Sequence, residues 1–479
     1  MSRYPVTPIT VQDLISQVTT ESVRHRDVVI TGITQDSREV QPGDLYCCVT
    51  GEHFDGHSFI GDAVKSGAVA LLVDRNIENV SDDVALIVVK NVRETLGLVA
   101  SAAFGTPSDS LTIVGITGTN GKTSTAAMLS EILSTAGYAV NTLGTLTGER
   151  TTPEAIDLHA HFRKCVTEGI SHVVMEVSSH ALALHRVAGV MFDVAVLTNV
   201  GRDHLDFHGT EEAYFAAKAK LFEPGQSVRG VVNIDDARGR LLCDVQPIHL
   251  TTFSLHDISD VVVEVDQVSF LWRQEVVTVP LGGMFTVMNA LAAITAAAEL
   301  GLETKVVAQG LRSLPSITGR FESVSNDEGI SVIVDYAHTP EGLTVLLETS
   351  RSLTQGKVII VFGCGGNRDE GKRPLMGRIA SELADVVVVT SDNPRHENPE
   401  DIIQQVIDGI PSDTRGEVHR EADRSAAITS AIFMAKHGDI VVLAGKGHEM
   451  TQEVKGVLYP FSDIDKARDA LRRREEAAQ

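Results

Sequence analysis

Gly115-Ile-Thr-Gly-Thr-Asn-Gly-Lys-Thr-Ser124 decides the fold. It follows an apolar run, Leu111 to Val114, of buried-strand character and leads into Thr125-Ala-Ala-Met-Leu-Ser-Glu-Ile-Leu, of helical character. A glycine-rich turn between strand and helix leaves several backbone N–H groups unpaired and pointing one way, and the positive end of the helix dipole adds to them. The turn is an anion site. Lys122 supplies a mobile cation for phosphate oxygens, and Thr123 a hydroxyl for a magnesium ion. A strict Walker pattern needs glycine five residues before Gly121. This chain has Ile116 there, so the loop Gly118-Thr-Asn-Gly-Lys-Thr123 is a variant P-loop.

Outward from the loop, the same pattern recurs. His172-Val-Val-Met-Glu-Val-Ser-Ser-His places Glu176 near the end of an apolar run, and Val194-Ala-Val-Leu-Thr-Asn-Val-Gly-Arg-Asp-His ends in a polar loop carrying His204. Apolar strand, polar loop and helix in succession predict an α/β fold with its ligands at the carboxyl ends of the strands. A carboxylate inside a buried strand is costly unless paired or bound to a cation. Glu176 is therefore either a salt-bridged structural acid or a ligand, and His204 either an ordinary loop histidine or part of the same site. In Tyr214-Phe-Ala-Ala-Lys-Ala-Lys-Leu-Phe, two residues span roughly 200° around a helix. Lys218 and Lys220 cannot share its solvent face, so one leans inward, snorkelling or facing a cleft. Asn289 falls near the start of an alanine-rich helix, and Trp272 in an alternating, ribbon-like segment, as a core residue.

A chain of 479 residues exceeds one ordinary core, and about three domains are expected. Residues 1–107 read as a small α/β domain closed by Phe104-Gly-Thr-Pro-Ser-Asp-Ser, with a helix from Pro8 capped by Thr10. Residues 108–317 hold the P-loop. Residues 318–479 read as a Rossmann-like sheet whose strand-end loops bring His338, Arg368, Arg395 and Glu449 together; the tail from Arg472 reads as a frayed helix end. Gly363-Cys-Gly365-Gly366 suggests a dinucleotide turn, but Arg368 replaces its third glycine. The net charge of −23 disfavours nucleic acid and anionic membranes as partners. Five cysteines without C-x-x-C spacing fit a reduced thiol set, and the chain has neither a signal-like amino terminus nor an 18-residue apolar run. A cytoplasmic protein is expected.

A phosphate cradle, acids and a histidine suited to Mg²⁺, and a second sheet with carboxylate-binding arginines exceed what a nucleotide hydrolase needs. A ligase needs them all. It passes the γ-phosphoryl group of ATP to a substrate carboxylate and lets an amine attack the acyl phosphate, chiefly by positioning and charge neutralisation.

Seven segments, in order along the chain, resemble the Mur ligases of peptidoglycan synthesis: Gly118-Thr-Asn-Gly-Lys-Thr123, Glu176-Val-Ser-Ser-His-Ala-Leu182, Thr198-Asn-Val-Gly-Arg-Asp-His-Leu-Asp206, Ala216-Ala-Lys218, Gly319-Arg-Phe-Glu322, Asp335-Tyr-Ala-His-Thr-Pro340 and Ala444-Gly-Lys-Gly-His-Glu449. Asp36-Ser-Arg38, Thr151-Thr-Pro-Glu154 and Asp392-Asn-Pro-Arg395 are similar to members that add the third residue of the peptide. The resemblance implies three α/β domains: an amino-terminal one for the UDP part of UDP-N-acetylmuramoyl-L-alanyl-D-glutamate, a central ATPase and a carboxyl-terminal one delivering an amino acid. It implies UDP-substrate contacts at Gln35, Ser37, Glu52, His53, Phe54, Thr151, Thr152, Ser178 and Arg186. For ATP it implies Gly118, Thr119, Asn120, Gly121, Lys122, Thr123, Ser124, Asn289, Arg320, Asp335 and His338. Lys122, Glu176, His204 and Lys218 are the implied catalytic groups, and Thr123, Glu176, His204 and Lys218 the implied magnesium set. Lys218 matches the family's carbamylated lysine (N6-carboxylysine), made with CO₂. Arg368, Asp392, Asn393, Pro394, Arg395, Gly445 and Glu449 match the amino-acid pocket.

Meso-2,6-diaminopimelate differs from lysine by a second carboxylate, which Arg395 can hold bidentately; L-lysine or another diamino acid is the alternative. Thr286, Leu184 and Arg150 depart from residues common in the family and bear on substrate detail. A folylpolyglutamate-synthase-like ligase would lack the amino-terminal unit and Asp392-Asn-Pro-Arg395. A non-catalytic paralogue would be expected to lose Lys122, His204 or Lys218, and all three stand.

Overall fold

The structure is a computed structural model describing residues 2–478 except Glu52, His53, Asn79, Glu149 and Arg415. The described residues form three six-stranded sheets, one three-stranded sheet and one two-stranded sheet, with helices packed against them.

The central sheet runs His249–Phe253, Ser227–Asn233, Phe192–Leu197, Thr112–Thr117, His172–Glu176, Val140–Leu143, every pair parallel. A parallel sheet covered on both faces needs nearly continuous apolar strands, which explains runs such as Val194–Leu197. The period of two divides them. Val114 and Ile116 face a core with Leu129, Ile132 and the alanines of the helix Met284–Glu299, while Ile113 and Met175 face a second core with Phe162 and Phe222. Trp272 is 4 % exposed in the first core, on the antiparallel ribbon Ser259–Val263, Val268–Trp272, Glu275–Val279, as expected.

The amino-terminal sheet has four parallel strands, Val29–Thr34, Asp44–Cys47, Ala70–Val73 and Ala85–Val88, flanked by the antiparallel edges Tyr4–Thr10 and Ser22–Arg24. The helix expected from Pro8 is corrected here. Residues 4–10 pair with Val29–Thr34, and only Val11–Leu14 turns helical, with Thr10 capping Asp13 N–H at 3.1 Å as predicted. Edge pairing captured residues whose local pattern also suited a helix. Gly97, in the helix Val92–Ala103, seats this unit on the central one: a Cβ there would lie 2.2 Å from the Ala188 carbonyl oxygen.

The third sheet runs Glu322–Ser323, Ser331–Asp335, Ile440–Ala444, Val358–Phe362, Val386–Val389, Glu417–Arg420, parallel after the first pair. A hairpin, Thr451–Val454 with Val457–Pro460, precedes the final helix Asp463–Ala478. That helix is docked rather than frayed as far as Arg474, whose Nε donates to Glu328 at 3.0 Å, and Asp463 forms a buried ion pair with Arg424. All five cysteines are unpaired, and no helix among the described residues is long and apolar enough to cross a membrane.

Candidate active site

The strands Thr112–Thr117 and Phe192–Leu197 are neighbours, so the loops leaving their carboxyl ends meet. Thr119 N–H donates to the Asn199 carbonyl at 2.9 Å, Asn120 N–H to Asn199 Oδ1 at 3.0 Å, and Thr198 Oγ1 to the Asn120 carbonyl at 2.6 Å. Gly118 (φ 153°) and Gly121 (φ 85°) leave no room for a side chain. A Cβ would sit 1.9 Å from Thr198 Oγ1 at the first and 2.2 Å from Asn289 Oδ1 at the second. Gly121 caps the helix Lys122–Thr135. The resulting nest of N–H groups opens on a cleft of about 940 Å³ whose walls also carry Glu176, His204, Asn289, Arg320 and His338.

Lys122 folds back, donating to the carbonyls of Gly118 and Thr119 at 2.9 Å each, and burial lowers its pKa. Thr123 Oγ1 donates to Glu176 Oε1 at 3.0 Å and accepts from Arg320 Nη2 at 3.0 Å, bringing the third sheet onto the P-loop helix. Arg320 lies over the Tyr336 ring at 4.6 Å, and its buried Nε has no partner among the described residues. Glu176 is 1 % exposed, without an ion-pair partner among the described residues. Thr145 N–H (2.8 Å) and Thr123 serve Oε1, and Thr145 Oγ1 serves Oε2 at 3.2 Å. It is a buried, hydrogen-bonded carboxylate, not the salt-bridged structural acid. Lys218, not Lys220, is the inward lysine: it is 2 % exposed, with Nζ donating to the Gly118 carbonyl at 2.7 Å and lying 4.4 Å from the Tyr214 ring centroid. Desolvation, then the Lys122 charge, depress its pKa far below the usual lysine range. His204, at φ 53°, packs edge-on to His180 with ring centroids 4.6 Å apart, and desolvation lowers its pKa to about 4.

The third sheet's first loop carries two residues of the expected ATP set. Asp335 lines the cleft, but its carboxylate is engaged by the N–H groups of Phe321 (2.8 Å) and Ala337 (2.7 Å), so it shapes the loop. His338 also lines the cleft, and its carbonyl accepts from Lys372 Nζ at 2.9 Å, from the helix that follows the Arg368 loop. Thr286 is off the cleft wall, with its hydroxyl donating to the Gly282 carbonyl at 2.6 Å.

Next to the cleft, Thr152 Oγ1 donates to the Glu176 carbonyl at 2.9 Å and accepts from Ser178 N–H at 3.0 Å, and Thr151 Oγ1 is 3.2 Å from Thr145 Oγ1. Arg186 pairs with Glu154 at 2.9 Å, and Arg150 pairs with the same carboxylate. In the amino-terminal sheet, Gln35 and Ser37 follow the strand Val29–Thr34, and Phe54, 74 % exposed, follows Asp44–Cys47. Glu52 and His53 lie outside the described residues.

The loops after Val358–Phe362, Val386–Val389 and Ile440–Ala444 interlock with the hairpin. Arg395 Nε meets Glu453 Oε2 at 3.3 Å and Nη1 donates to the Gly366 carbonyl at 2.8 Å, leaving Nη2 and the second Nη1 hydrogen at the end of the fork. Asn393 Nδ2 donates to Glu449 Oε2 at 2.7 Å, and Asn393 Oδ1 accepts from Glu453 N–H at 2.9 Å. A Cβ on Gly365 would be 2.9 Å from Arg395 Nη1 and 3.8 Å from Arg368 Cγ, and one on Gly445 would be 2.8 Å from Asp392 Oδ2. The exposed Arg368 and the Gly445 turn thus border the same pocket.

Family models match in chain order: the Mur ligase family, catalytic domain, at residues 29–104, the Mur ligase middle domain at 116–297 and the Mur ligase, glutamate ligase domain at 319–447. A Syntrophomonas wolfei protein named UDP-N-acetylmuramoyl-L-alanyl-D-glutamate–2,6-diaminopimelate ligase is 41 % identical over 467 residues, spanning 93 % of this chain and 95 % of its own. The Aquifex aeolicus protein of that name is 42 % identical over 458 residues, 92 % and 94 % of the two chains. The chain belongs to the Mur ligase family.

A solved structure of a ligase with that name superposes with a TM-score of 0.69 at 32 % identity, covering 98 % of this chain and all of the other. The Thermotoga maritima MurF ligase in complex with ADP, at 22 % identity and a TM-score of 0.63 over 93 % and 98 % of the chains, shares the fold. Within this Mur ligase, sequence reading missed Thr145, which links Glu176 to Thr151, and Glu453, which braces Arg395. Neither carries a motif. Lys446, bonded to both Asn393 and Glu449, lies inside a quoted motif without an assigned role.

Proposed function

We propose that this Mur ligase uses ATP to join meso-2,6-diaminopimelate to UDP-N-acetylmuramoyl-L-alanyl-D-glutamate in cytoplasmic peptidoglycan synthesis. One observation carries the reading: Arg320 of the third sheet reaches Thr123 of the P-loop, so the nucleotide cleft is completed by the sheet that also bears the Arg395 pocket. A carboxylate oxygen of the dipeptide attacks the γ-phosphorus and ADP leaves. The amine then attacks the acyl carbon and phosphate leaves with that oxygen. The P-loop N–H groups and Lys122 hold the phosphates, Asn289 faces the base side, and Arg320, with an unpaired Nε, meets developing charge. Thr151, Thr152, Ser178 and Arg186 hold the dipeptide, and Gln35, Ser37 and Phe54 take its uridine end.

Magnesium fits the donor set. Thr123 and Glu176 offer hard oxygen at the phosphate end, with His204 alongside. Among the described residues no cluster of three or more His, Cys, Asp or Glu that could hold a metal ion is present. Such an ion supplies charge neutralisation at the transferring phosphoryl group. Lys218 fits carbamylation, because CO₂ combines with an uncharged amine, the form that burial favours here.

Arg395 selects the amino acid. The end of its guanidinium fork is available for the second carboxylate that diaminopimelate has and lysine lacks. Supplying UDP-muramoyl-dipeptide, ATP and either amino acid tests this, with phosphate release expected for diaminopimelate. Release with lysine alone would overturn the choice of amino acid, and none with either would overturn the ligase reading.

A further inference from the structure

The loop between Ile440–Ala444 and the hairpin contains a lysine that the proposed reaction does not use. Lys446 is fully buried, with none of its side chain exposed. A buried ammonium group costs several kcal/mol unless it is paired and hydrogen-bonded. Its Nζ donates to Glu449 Oε2 at 2.7 Å and to Asn393 Oδ1 at 3.2 Å. Asn393 is held in one orientation, because Oδ1 also accepts from Glu453 N–H at 2.9 Å while Nδ2 donates to Glu449 Oε2 at 2.7 Å. Two donors therefore converge on one carboxylate oxygen of Glu449. The other, Oε1, has no partner among the described residues, on a side chain that keeps 30 % exposure.

The backbone around the lysine is equally constrained. Gly445 (φ 110°) and Gly447 (φ 51°) flank it, a Cβ on Gly447 would lie 2.8 Å from the Gly319 carbonyl oxygen, and Glu449 N–H donates to the Lys446 carbonyl at 2.9 Å. Neither end of the Lys446–Glu449 pair is free to drift. Here one oxygen takes both donors and the other is left for a ligand.

We propose that Lys446 is a positioning residue for the amino-acid substrate: with Asn393 it clamps Glu449 by Oε2, so that Oε1 faces the incoming ammonium group. This rests on the reading of Asn393, Arg395 and Glu449 as the amino-acid pocket. Lys446 sets the angle of the carboxylate and does not itself touch the reacting atoms.

Steady-state kinetics with each of the three substrates, on the wild type and on Lys446→Met, Lys446→Arg, Glu449→Gln and Lys446→Met/Glu449→Gln, tests it. Lys446→Met is expected to raise KM for diaminopimelate about tenfold, the loss of one charge-assisted bond, with KM for ATP and for the UDP-dipeptide within about twofold of wild type. Lys446→Arg should recover part of the loss, and the double variant should be no worse than Glu449→Gln, because the lysine acts through the carboxylate. An unchanged KM for diaminopimelate, an equal rise in all three, or additive losses would overturn the proposal. If Lys446→Met does not fold, Lys446→Arg alone and combined with Glu449→Gln gives the same cycle, with the same additive result counting against it. A wild type that turns over the UDP-dipeptide with lysine but not diaminopimelate would overturn the pocket reading itself, a failure distinct from that of the clamp.

Discussion

The nucleotide cleft and the proposed amino-acid pocket both sit at the carboxyl ends of parallel strands, yet their charged groups are held differently. In the cleft, Lys122 is turned onto the carbonyls of its own loop, Arg320 Nε is unpaired, and Glu341 Oε2 on the wall is unpaired as well. In the pocket, Arg395, Glu453, Asn393, Glu449 and Lys446 are linked by hydrogen bonds before any ligand arrives. The difference follows from the ligands. Triphosphate oxygens can replace many weak internal bonds at once, so the cleft holds donors in reserve. Discrimination between two amino acids that differ by one carboxylate requires charges fixed beforehand, because an adaptable pocket would accept both.

The largest effects should come from the cleft. Lys218→Ala removes the buried amine beside Gly118, and with it the carbamate charge it would carry, and is expected to lower turnover on the order of 10²–10³-fold. Added bicarbonate should not restore it, since no amine remains to take up CO₂; phosphate release near the wild-type rate would remove the carbamate role. Gly121→Ala places a Cβ 2.2 Å from Asn289 Oδ1 at φ 85°. A strain of about 2 kcal/mol corresponds to an approximately thirtyfold rise in KM for ATP, with KM for the amino acid unchanged. A rise shared by both substrates would mean that the two regions are not independent.

In the pocket, Arg395→Lys keeps the charge and loses the fork. KM for diaminopimelate should rise about tenfold while ATP is unaffected, and discrimination against lysine should narrow. This expectation came from the resemblance of the contiguous segment Asp392-Asn-Pro-Arg395 to family members that add the third residue. The P-loop, Glu176 and the inward lean of one of Lys218 and Lys220 were legible without it, from local motif spacing and periodicity. What joins them was not. Arg320 and Thr123 are 197 residues apart, and Lys218 and Gly118 are 100 apart. Glu453 reaches Arg395 only because a hairpin folds back over the strand ends. Asp335 shows the converse: its place after a strand identifies a site loop, but only the bonds to Phe321 and Ala337 reveal that its carboxylate is already engaged.

The smallest effect is expected from Gly365→Ala, the counterpart of Gly121→Ala. Gly365 is not left-handed, so its backbone accepts alanine, and the nearest atom to the new Cβ is Arg395 Nη1 at 2.9 Å, the far end of a flexible side chain. Nη1 can give up its bond to the Gly366 carbonyl and swing about the Nε–Glu453 contact, which stays in place. The fork then meets the substrate carboxylate at a changed angle. A rise of about threefold in KM for diaminopimelate follows, less than the loss of a whole hydrogen bond, with ATP binding and thermal stability as in the wild type. Gly121 has no such escape, since its neighbour is the amide of the buried Asn289 and its own backbone is left-handed. If Gly365→Ala matched Gly121→Ala in size, Arg395 would be held as rigidly as the P-loop, and its specificity would come from a fixed cavity rather than from a braced but movable fork.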